Sequence, residues 1–584
     1  MRLSVFAVAL IACASSVELV SCGLEVEVEK AISKLAPTKK SEPEVKSKSS
    51  DKRDEAEGKS KQSDASIKPQ TNILQLVAGN AKAQVPFGFA DERPKGIWEL
   101  ADCLFATLFG APAPDAKGTK SEFAYYAIND HSNDDLVYAT PQELIEQAGF
   151  KHRTHFVEAD DGYITQMVRI INPLADRKRL RQPPVAMFHG GTLDTGQYII
   201  QSTRQHHPER WPRVQGQIHT SWNRSLGFML ANNGYDVWLV GSRGCNRANQ
   251  GHKFVKGYKP LYTYDLNASP DWVTKQLELS FTYWSNHTFD DIIDKEIPRQ
   301  LERIMLLTGS PKVSVVALSN SSPSTMAVLA SKPKLAKKVH NYVAIAPLLS
   351  AKNSNRALRV FFETIGTKLP DQFGNLVMEL ILSRPIRDAI LALNQSPLLR
   401  YSLIKIITNI AFGSSPRFQT LIEPNALNHI LNPFGFRSIK HISQVLLAGK
   451  IQKFDFGPIE NQLRYGSIFP PAYDMSKMTC ANWMIVTAEH DQLSTYEDVQ
   501  KLATTTPKRP YRHLYWKNAN HVDLVMGADI DTRVNLPILE FMQACPYKQT
   551  KKVARNVTLV DGKIDITLKK YAPEYDRSLN YRAF

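Results

Sequence analysis

Short, uniformly apolar runs alternate with helical periods through the middle of the chain. The clearest runs are Val185–Phe188, Tyr235–Val240, Val313–Val316 and Tyr342–Ala346. Runs of this length that end at turn residues are typical of strands buried on both faces of a sheet. Helical spacing at Leu226–Ala231 and Phe289–Leu307 separates them. The pattern predicts an α/β fold whose mostly parallel sheet is covered by helices on both sides.

Other patterns mark the beginning and end of this region. A short helix at Pro141–Ala148 is followed by strands Thr154–Glu158 and Ile164–Ile171, which flank Asp160-Asp161-Gly162 and predict an antiparallel hairpin at the sheet edge. From 349 to 470 the pattern becomes helical and irregular, which predicts a helical cap inserted into the core. Two more apolar strands, Trp483–Thr487 and Leu514–Trp516, and a helix at Val534–Ala544 complete the core.

A serine lies where one of these strands ends. The run Val313–Val316 leads into Ala317-Leu318-Ser319-Asn320-Ser321, and a helix with Pro323 in its first turn follows. A strand, a tight turn with a central serine and a helix form the nucleophile elbow of doubly wound hydrolases. The residues around the serine must be small because helix and strand cross closely there. Ordinary strand–loop–helix junctions contain similar residues, so the elbow needs support from other positions.

That support comes from an aspartate and a histidine. A serine becomes nucleophilic when a base takes its proton and an acid orients that base. Asp491 follows the strand Trp483–Thr487, and His521 follows Leu514–Trp516. The carboxyl ends of parallel strands meet at one edge of the sheet. The sequence therefore predicts a catalytic triad of Ser319, Asp491 and His521, although an isolated loop Asp or His is usually solvated or capping.

Two backbone N–H groups are expected to stabilise the oxyanion. The first belongs to Asn320, directly after the nucleophile. The second is assigned to Gly191, in the loop His189-Gly190-Gly191 after the strand Val185–Phe188. His189 is expected to be structural, and the alternative for the two glycines is that they only permit a turn.

Composition and charge limit the classes of molecule that the protein is expected to bind. The chain has 584 residues, 43% of them hydrophobic, and a formal net charge of +15, which suits an anionic lipid or membrane interface. Lys and Arg are scattered rather than grouped with aromatic residues, which argues against nucleic acid. The six cysteines show neither a metal-ligand pattern nor Cys-x-x-Cys spacing, and their pairing stays open. The predicted chemistry needs no metal or cofactor, and the sequence leaves the oligomeric state open.

The ends of the chain differ from the core. Arg2 and the apolar run Leu3–Cys13 predict a signal peptide over 1–21, with an uncleaved anchor as the alternative. Residues 22–70 are charged and predicted to be disordered, as a spacer, a propeptide or a partner arm. Residues 71–140 form an extension without an assigned role, and 546–584 form a basic tail with a small hairpin. The core is expected at 141–348 and 471–545. Glycosylation triplets fit a secreted or lumenal protein: Asn223, Asn267, Asn286 and Asn556.

Several segments resemble the acid lipase family of the α/β-hydrolases. They are Phe156–Ile164, Val185–Gly190, Gly234–Leu239 with Ser242-Arg243-Gly244, Gly449–Tyr465, Pro470–Tyr473, and Asn520-His521-Val522-Asp523. The resemblance spans roughly 141–543. The family's Gly-His-Ser-Gln-Gly is replaced by Ala317-Leu318-Ser319-Asn320-Ser321, and Gly191 stands where the family usually has leucine.

The resemblance implies a serine esterase or lipase that acts on lipid esters such as acylglycerols or sterol esters. The altered elbow leaves two rivals open. One is a lipid-binding protein with the same fold that has lost turnover. The other is a lipid acyltransferase that passes the acyl group to an alcohol.

Overall fold

The structure, a computed structural model, describes most of the chain between residues 139 and 547. The described residues are 139–176, 180–200, 217–218, 224–243, 249–253, 275, 279, 286–371, 374–375, 412–413, 429, 432, 435–480, 482–507, 510–527 and 530–547. Several predictions lie outside them: the signal peptide, the 22–70 segment, nearly all of the extension and the tail, Asn223, Asn267 and Asn556, and a little under half of the cap.

Nine strands form one sheet in this part of the chain. Their bounds are β1 Lys151–Glu158, β2 Tyr163–Ile171, β3 Arg181–Phe188, β4 Tyr235–Val240, β5 Asn249–His252, β6 Val313–Leu318, β7 Val339–Ile345, β8 Asn482–Ala488 and β9 Arg512–Trp516. The order is β1-β2-β4-β3-β6-β7-β8-β9, and β5 also pairs with β2. All pairings from β4 to β9 are parallel, whereas β2 is antiparallel to β1, β4 and β5. The predicted α/β-hydrolase fold and its antiparallel edge hairpin are confirmed.

Helices connect the strands. In the described residues their bounds are α1 Pro141–Gln147, α2 Leu226–Asn232, α3 Phe289–Asp291, α4 Ile297–Thr308, α5 Ser321–Ser331, α6 Pro333–Ala336, α7 Arg356–Glu363, α8 Phe436–Ala448, α9 Pro458–Tyr465, α10 Tyr496–Thr505, α11 Asp523–Met526 and α12 Leu536–Ala544. The predicted helix Phe289–Leu307 is interrupted by a π-turn at Ile292–Glu296. Pro298 follows that turn, and a proline has no N–H for an α-helical bond. The same arrangement precedes α12, where a π-turn at Asp531–Asn535 precedes Pro537.

The core lies on both faces of the sheet, and β6 shows why. Its alternate residues Val313, Val315 and Ala317 belong to one buried cluster, whereas Val316 and Leu318 belong to the other. Successive side chains of a strand point to opposite faces. Because both faces of β6 are covered, all of its residues but one are apolar, as the sequence pattern indicates.

Part of the 349–470 stretch packs into this core. Leu358 and Phe362 from α7 join Ile442, Val445 and Leu446 from α8 in the same buried cluster as one face of the sheet. These helices are therefore integral to the fold, and the cap role of the whole stretch stays a prediction.

In the described residues, no helix has the length and apolarity that crossing a bilayer requires.

Candidate active site

Ser319 lies at a sharp turn between β6 and α5. Its φ is +57°, in the left-handed region that residues other than glycine rarely adopt. Its backbone N–H still donates to the carbonyl of Ile345 on β7, at 2.8 Å. A strained residue of this kind costs about 1–3 kcal/mol and is held by its surroundings. The turn places Ser319 just beyond the carboxyl end of β6, as the elbow prediction requires.

Three side chains form a hydrogen-bonded chain at this edge. The Ser319 hydroxyl lies 3.0 Å from His521 Nε2, and His521 Nδ1 lies 2.7 Å from Asp491 Oδ2. A carboxylate only accepts hydrogen bonds, so Nδ1 carries the proton and Nε2 accepts from the hydroxyl. All three residues are at most 7% exposed. The structure thus brings together the three residues that the sequence selected.

Backbone groups fix Asp491 in turn. Its Oδ1 accepts from the N–H groups of Leu493 and Ser494, at 2.9 and 2.8 Å. The second oxygen is left to His521. A hydrogen-bonded carboxylate of this kind fixes the imidazole tautomer and stabilises the imidazolium that forms when the base takes a proton.

The other serines of the elbow donate to backbone carbonyls instead. Ser321 donates to His189, Ser322 to Ala317 at 2.9 Å, and Ser324 to Asn320 at 3.1 Å. These bonds tie α5 to β6 and to the loop after β3. Ser319 is the elbow serine whose hydroxyl lies against a basic side chain.

The loop after β3 borders the nucleophile. His189 is buried, which lowers its pKa, and its Nε2 accepts from the N–H of Ser242 at 3.0 Å. The neutral ring therefore holds this loop against the end of β4, which agrees with the structural role expected for it. Gly190 donates its N–H to the side chain of Gln197, at 2.9 Å.

Gly191 and Asn320, whose N–H groups are assigned to the oxyanion hole, are neighbours in space. A Cβ on Gly191 would be 3.4 Å from Asn320 Oδ1. In the described part of the chain, neither the N–H of Gly191 nor that of Asn320 donates a hydrogen bond. The N–H of Gly190 is not free to bind an oxyanion because it already donates to Gln197. Asn320 is only 6% exposed, which leaves little room for a glycan at its formal glycosylation triplet.

The strand order explains why these loops converge. The chain runs from β3 to β4 on one side and later enters β6 on the other side of β3. Such a reversal opens a crevice at the carboxyl ends of the strands, where ligands bind in open α/β sheets. The loop with Gly191 follows β3, and Ser319 follows β6. A hydroxyl bonded to an imidazole nitrogen there can attack a carbonyl as it loses its proton.

Residues of the 349–470 stretch, which the sequence predicts to be a cap, also reach the site. Phe412 stacks on His521, and Gly413 accepts a hydrogen bond from Asn520. On the other side, the backbones of His429 and Asn432 bond to the turn at Thr192–Asp194. The sequence gives no signal for these contacts, because none of the four residues belongs to a catalytic motif.

Comparisons with known proteins find similarity to lipases. A family model described as the partial alpha/beta-hydrolase lipase region matches residues 141–202. Gastric triacylglycerol lipase from Bos taurus is 26% identical over 68% of this chain and 90% of its own length. Lipase member M from Homo sapiens is 25% identical over 69% and 85%. A putative lipase structure from Sulfolobus solfataricus covers 68% of this chain and 94% of its own, at 14% identity and a TM-score of 0.37.

The sheet order and the strand–serine–helix turn define an α/β-hydrolase. Its similarity to several lipases extends over about two thirds of the chain and most of the length of each relative. This similarity to gastric lipase and lipase member M agrees with the resemblance of the sequence to the acid lipase family. In class it is a lipase-like ester hydrolase.

Proposed function

We propose that this protein hydrolyses lipid esters, such as acylglycerols or sterol esters, through an acyl-enzyme on Ser319. The observation that carries the proposal is the chain of hydrogen bonds from Ser319 through His521 to Asp491. The name of the bovine relative, a triacylglycerol lipase, supports a lipid ester as substrate. A lipid or membrane interface would then be the surface where the enzyme meets it.

The proposed reaction has two halves. Ser319 Oγ attacks the ester carbonyl while its proton passes to His521 Nε2, and the oxyanion is held by the N–H groups of Asn320 and Gly191. The tetrahedral intermediate collapses, the alcohol leaves with the proton from His521, and an acyl ester on Ser319 remains. Water then loses its proton to His521 and attacks this ester, which releases the fatty acid and restores the serine. Asp491 keeps the imidazole in one tautomer throughout. No step uses a metal or cofactor.

The test compares two serine variants with the parent protein. Ser319→Ala should lower kcat on a soluble ester by at least about 1,000-fold and abolish fluorophosphonate labelling, because the nucleophile is gone. Ser322→Ala is the matched control, since its hydroxyl donates only to backbone carbonyls, those of Ala317 on β6 and Ile345 on β7. It should label and turn over nearly as well as the parent. Normal turnover in Ser319→Ala would refute the proposal.

The two rivals give different results in the same preparation. A lipid-binding protein without turnover would leave the parent unlabelled and inactive on esters of every chain length. An acyltransferase would form a new ester when a lipid alcohol is supplied, and little free fatty acid. A series of acylglycerols and sterol esters of increasing chain length then identifies the preferred class. Activity that falls steadily with chain length would contradict a lipid substrate.

We also propose that the protein follows the secretory route, to the lumen or the outside of the cell. This proposal rests on two features. One is the N-terminal apolar run, which lies outside the described residues, and the other is the exposed Asn286 of an Asn-His-Thr triplet. Glycopeptide mapping of the protein from a eukaryotic host should find Asn286 occupied and Asn320 empty. A glycan on Asn320 would contradict its assignment to the elbow.

A further inference from the structure

Two residues, Phe412 and Gly413, contact both loops that carry the base and its acid; we call this pair the Phe412 clip. The Phe412 ring stacks on His521, with ring centroids 5.5 Å apart and planes 9° apart. Its carbonyl accepts from the N–H of Gln492, at 3.2 Å, directly after Asp491. The Gly413 carbonyl accepts from the side-chain amide of Asn520, at 2.8 Å, directly before His521. The clip thus bridges the Asp491 loop and the His521 loop.

The fit of Gly413 shows how closely the clip is placed. Its φ is +96°, and a Cβ there would lie 2.0 Å from the carbonyl oxygen of His490. No side chain fits at that distance from backbone, so only glycine allows this approach. Gly413 is also buried. The close approach that Gly413 allows therefore brings the neighbouring Phe412 next to the loop that carries Asp491.

We propose that Phe412 is a positioning residue for His521, an inference that rests on the proposed function. A parallel aromatic face limits the tilt of the imidazole and keeps Nε2 directed at Ser319. The same face attracts the imidazolium that forms when Ser319 loses its proton. The clip adds no chemical step: the proton still passes from Ser319 Oγ to His521 Nε2. Asp491, which is bonded to His521, and Asp523, two residues after it in the chain, both accept hydrogen bonds from backbone N–H groups.

A second contact from the same stretch points in the same direction. His429 and Asn432 hold the turn beside the oxyanion loop: the His429 carbonyl accepts from the N–H of Asp194 at 3.1 Å, and the N–H of Asn432 donates to Thr192 at 2.9 Å. The 349–470 stretch therefore contacts both the base and the oxyanion side.

The first test uses Phe412 variants and a short, soluble ester, which needs no acyl-chain site. Phe412→Leu should lower kcat about 10-fold with little change in KM, because the base is less well oriented. The acidic limb of the kcat/KM profile should move to lower pH by roughly half a unit, since the imidazolium loses its aromatic neighbour. Phe412→Tyr keeps the aromatic face and should restore both readouts.

The second test uses a matched pair of glycines. Gly413→Ala should displace the clip and lower kcat about 10- to 100-fold, because its Cβ meets the His490 carbonyl. Gly457 also has a left-handed φ, +90°, but a Cβ there would meet nothing within 4 Å. Gly457→Ala therefore carries the backbone strain without the collision and should leave kcat unchanged. Unfolding midpoints identify any variant that simply fails to fold.

The outcomes separate this inference from the proposed function. If Ser319→Ala is inactive while Phe412→Leu keeps the parent kcat and pH profile, the positioning role is wrong and the hydrolase proposal stands. Equal defects in Phe412→Leu and Phe412→Tyr would also overturn it, as would a change confined to KM for long-chain esters. If Ser319→Ala is fully active, the proposed function fails first.

Discussion

At the scale of single residues, the two glycines after β3 have different surroundings. A Cβ on Gly190 would lie 3.0 Å from Leu193 Cδ1, 3.3 Å from Leu318 Cδ2 and 3.4 Å from Ser319 Cβ. A Cβ on Gly191 would meet only the side chain of Asn320, at ordinary contact distance. Gly190 therefore allows the loop to approach Ser319, whereas a methyl group on Gly191 would fit without a clash.

This difference predicts unequal effects of adding one methyl group. Gly190→Ala should lower kcat about 10- to 100-fold, because the loop must move away from Ser319. Gly191→Ala should cause a smaller loss, since it keeps the backbone N–H assigned to the oxyanion. Steady-state kcat and the rate of fluorophosphonate labelling measure both variants. A greater loss in Gly191→Ala would show that its surroundings are tighter than the structure indicates.

At the scale of secondary-structure elements, a buried arginine joins three of them. Arg243 follows β4 and is fully buried. Its Nε donates to Glu296, before α4, at 2.8 Å, and its terminal nitrogens donate to Asp161, in the β1–β2 turn, at 2.6 and 3.0 Å. Burial by itself would lower the Arg243 pKa, but the two carboxylates together raise it above its ordinary value. The side chain thus stays cationic and ties the edge hairpin to the helical layer.

Removing one partner should be costly because a buried charge would lose half of its compensation. Glu296→Ala is expected to lower the free energy of unfolding by about 3 kcal/mol or more. Arg299→Ala is the control: its pair with Asp160 is about half exposed and should be worth less than about 1 kcal/mol. Urea unfolding of both variants gives the comparison. Similar losses of unfolding free energy would mean that the buried ion pair stabilises the fold no more than the exposed one.

At the scale of the whole molecule, buried histidines make stability depend on pH. His155 in β1 is 3% exposed and packs against Trp238. Burial first, and then Arg153, Arg169 and Arg303, lower its pKa from 6.5 to about 3. Between those values the unfolded chain binds a proton that the folded chain does not, so stability falls as pH falls from 6.5 towards 3. His189 and His441 are also buried with lowered pKa values and act in the same direction.

His155→Phe should reduce this acid sensitivity. The aromatic contact with Trp238 is kept, and neither ring nitrogen of His155 has a hydrogen-bond partner to lose in the described residues. Between pH 7.5 and 4.5 the variant should lose about 2 kcal/mol less stability than the parent. Urea unfolding at the two pH values measures the difference, and packing effects of the substitution cancel in it. An equal loss in both proteins would mean that His155 is protonated in the folded state.

The features set by local rules could be predicted from the sequence. Apolar runs identified the strands except the polar β5, and the break after Val313–Val316 identified Ser319, because turn chemistry depends on neighbouring residues. Asp491 and His521 could be selected because the carboxyl ends of parallel strands share one edge. Other features depended on packing between residues far apart in the chain. The 3.0 Å contact of His521 with Ser319 spans 202 residues, the pairing of Arg243 with Asp161 spans 82, and Phe412 lies in a stretch without a catalytic motif. Such contacts arise only when the sheet order brings separate loops together, since no periodicity along the chain encodes the distance between them.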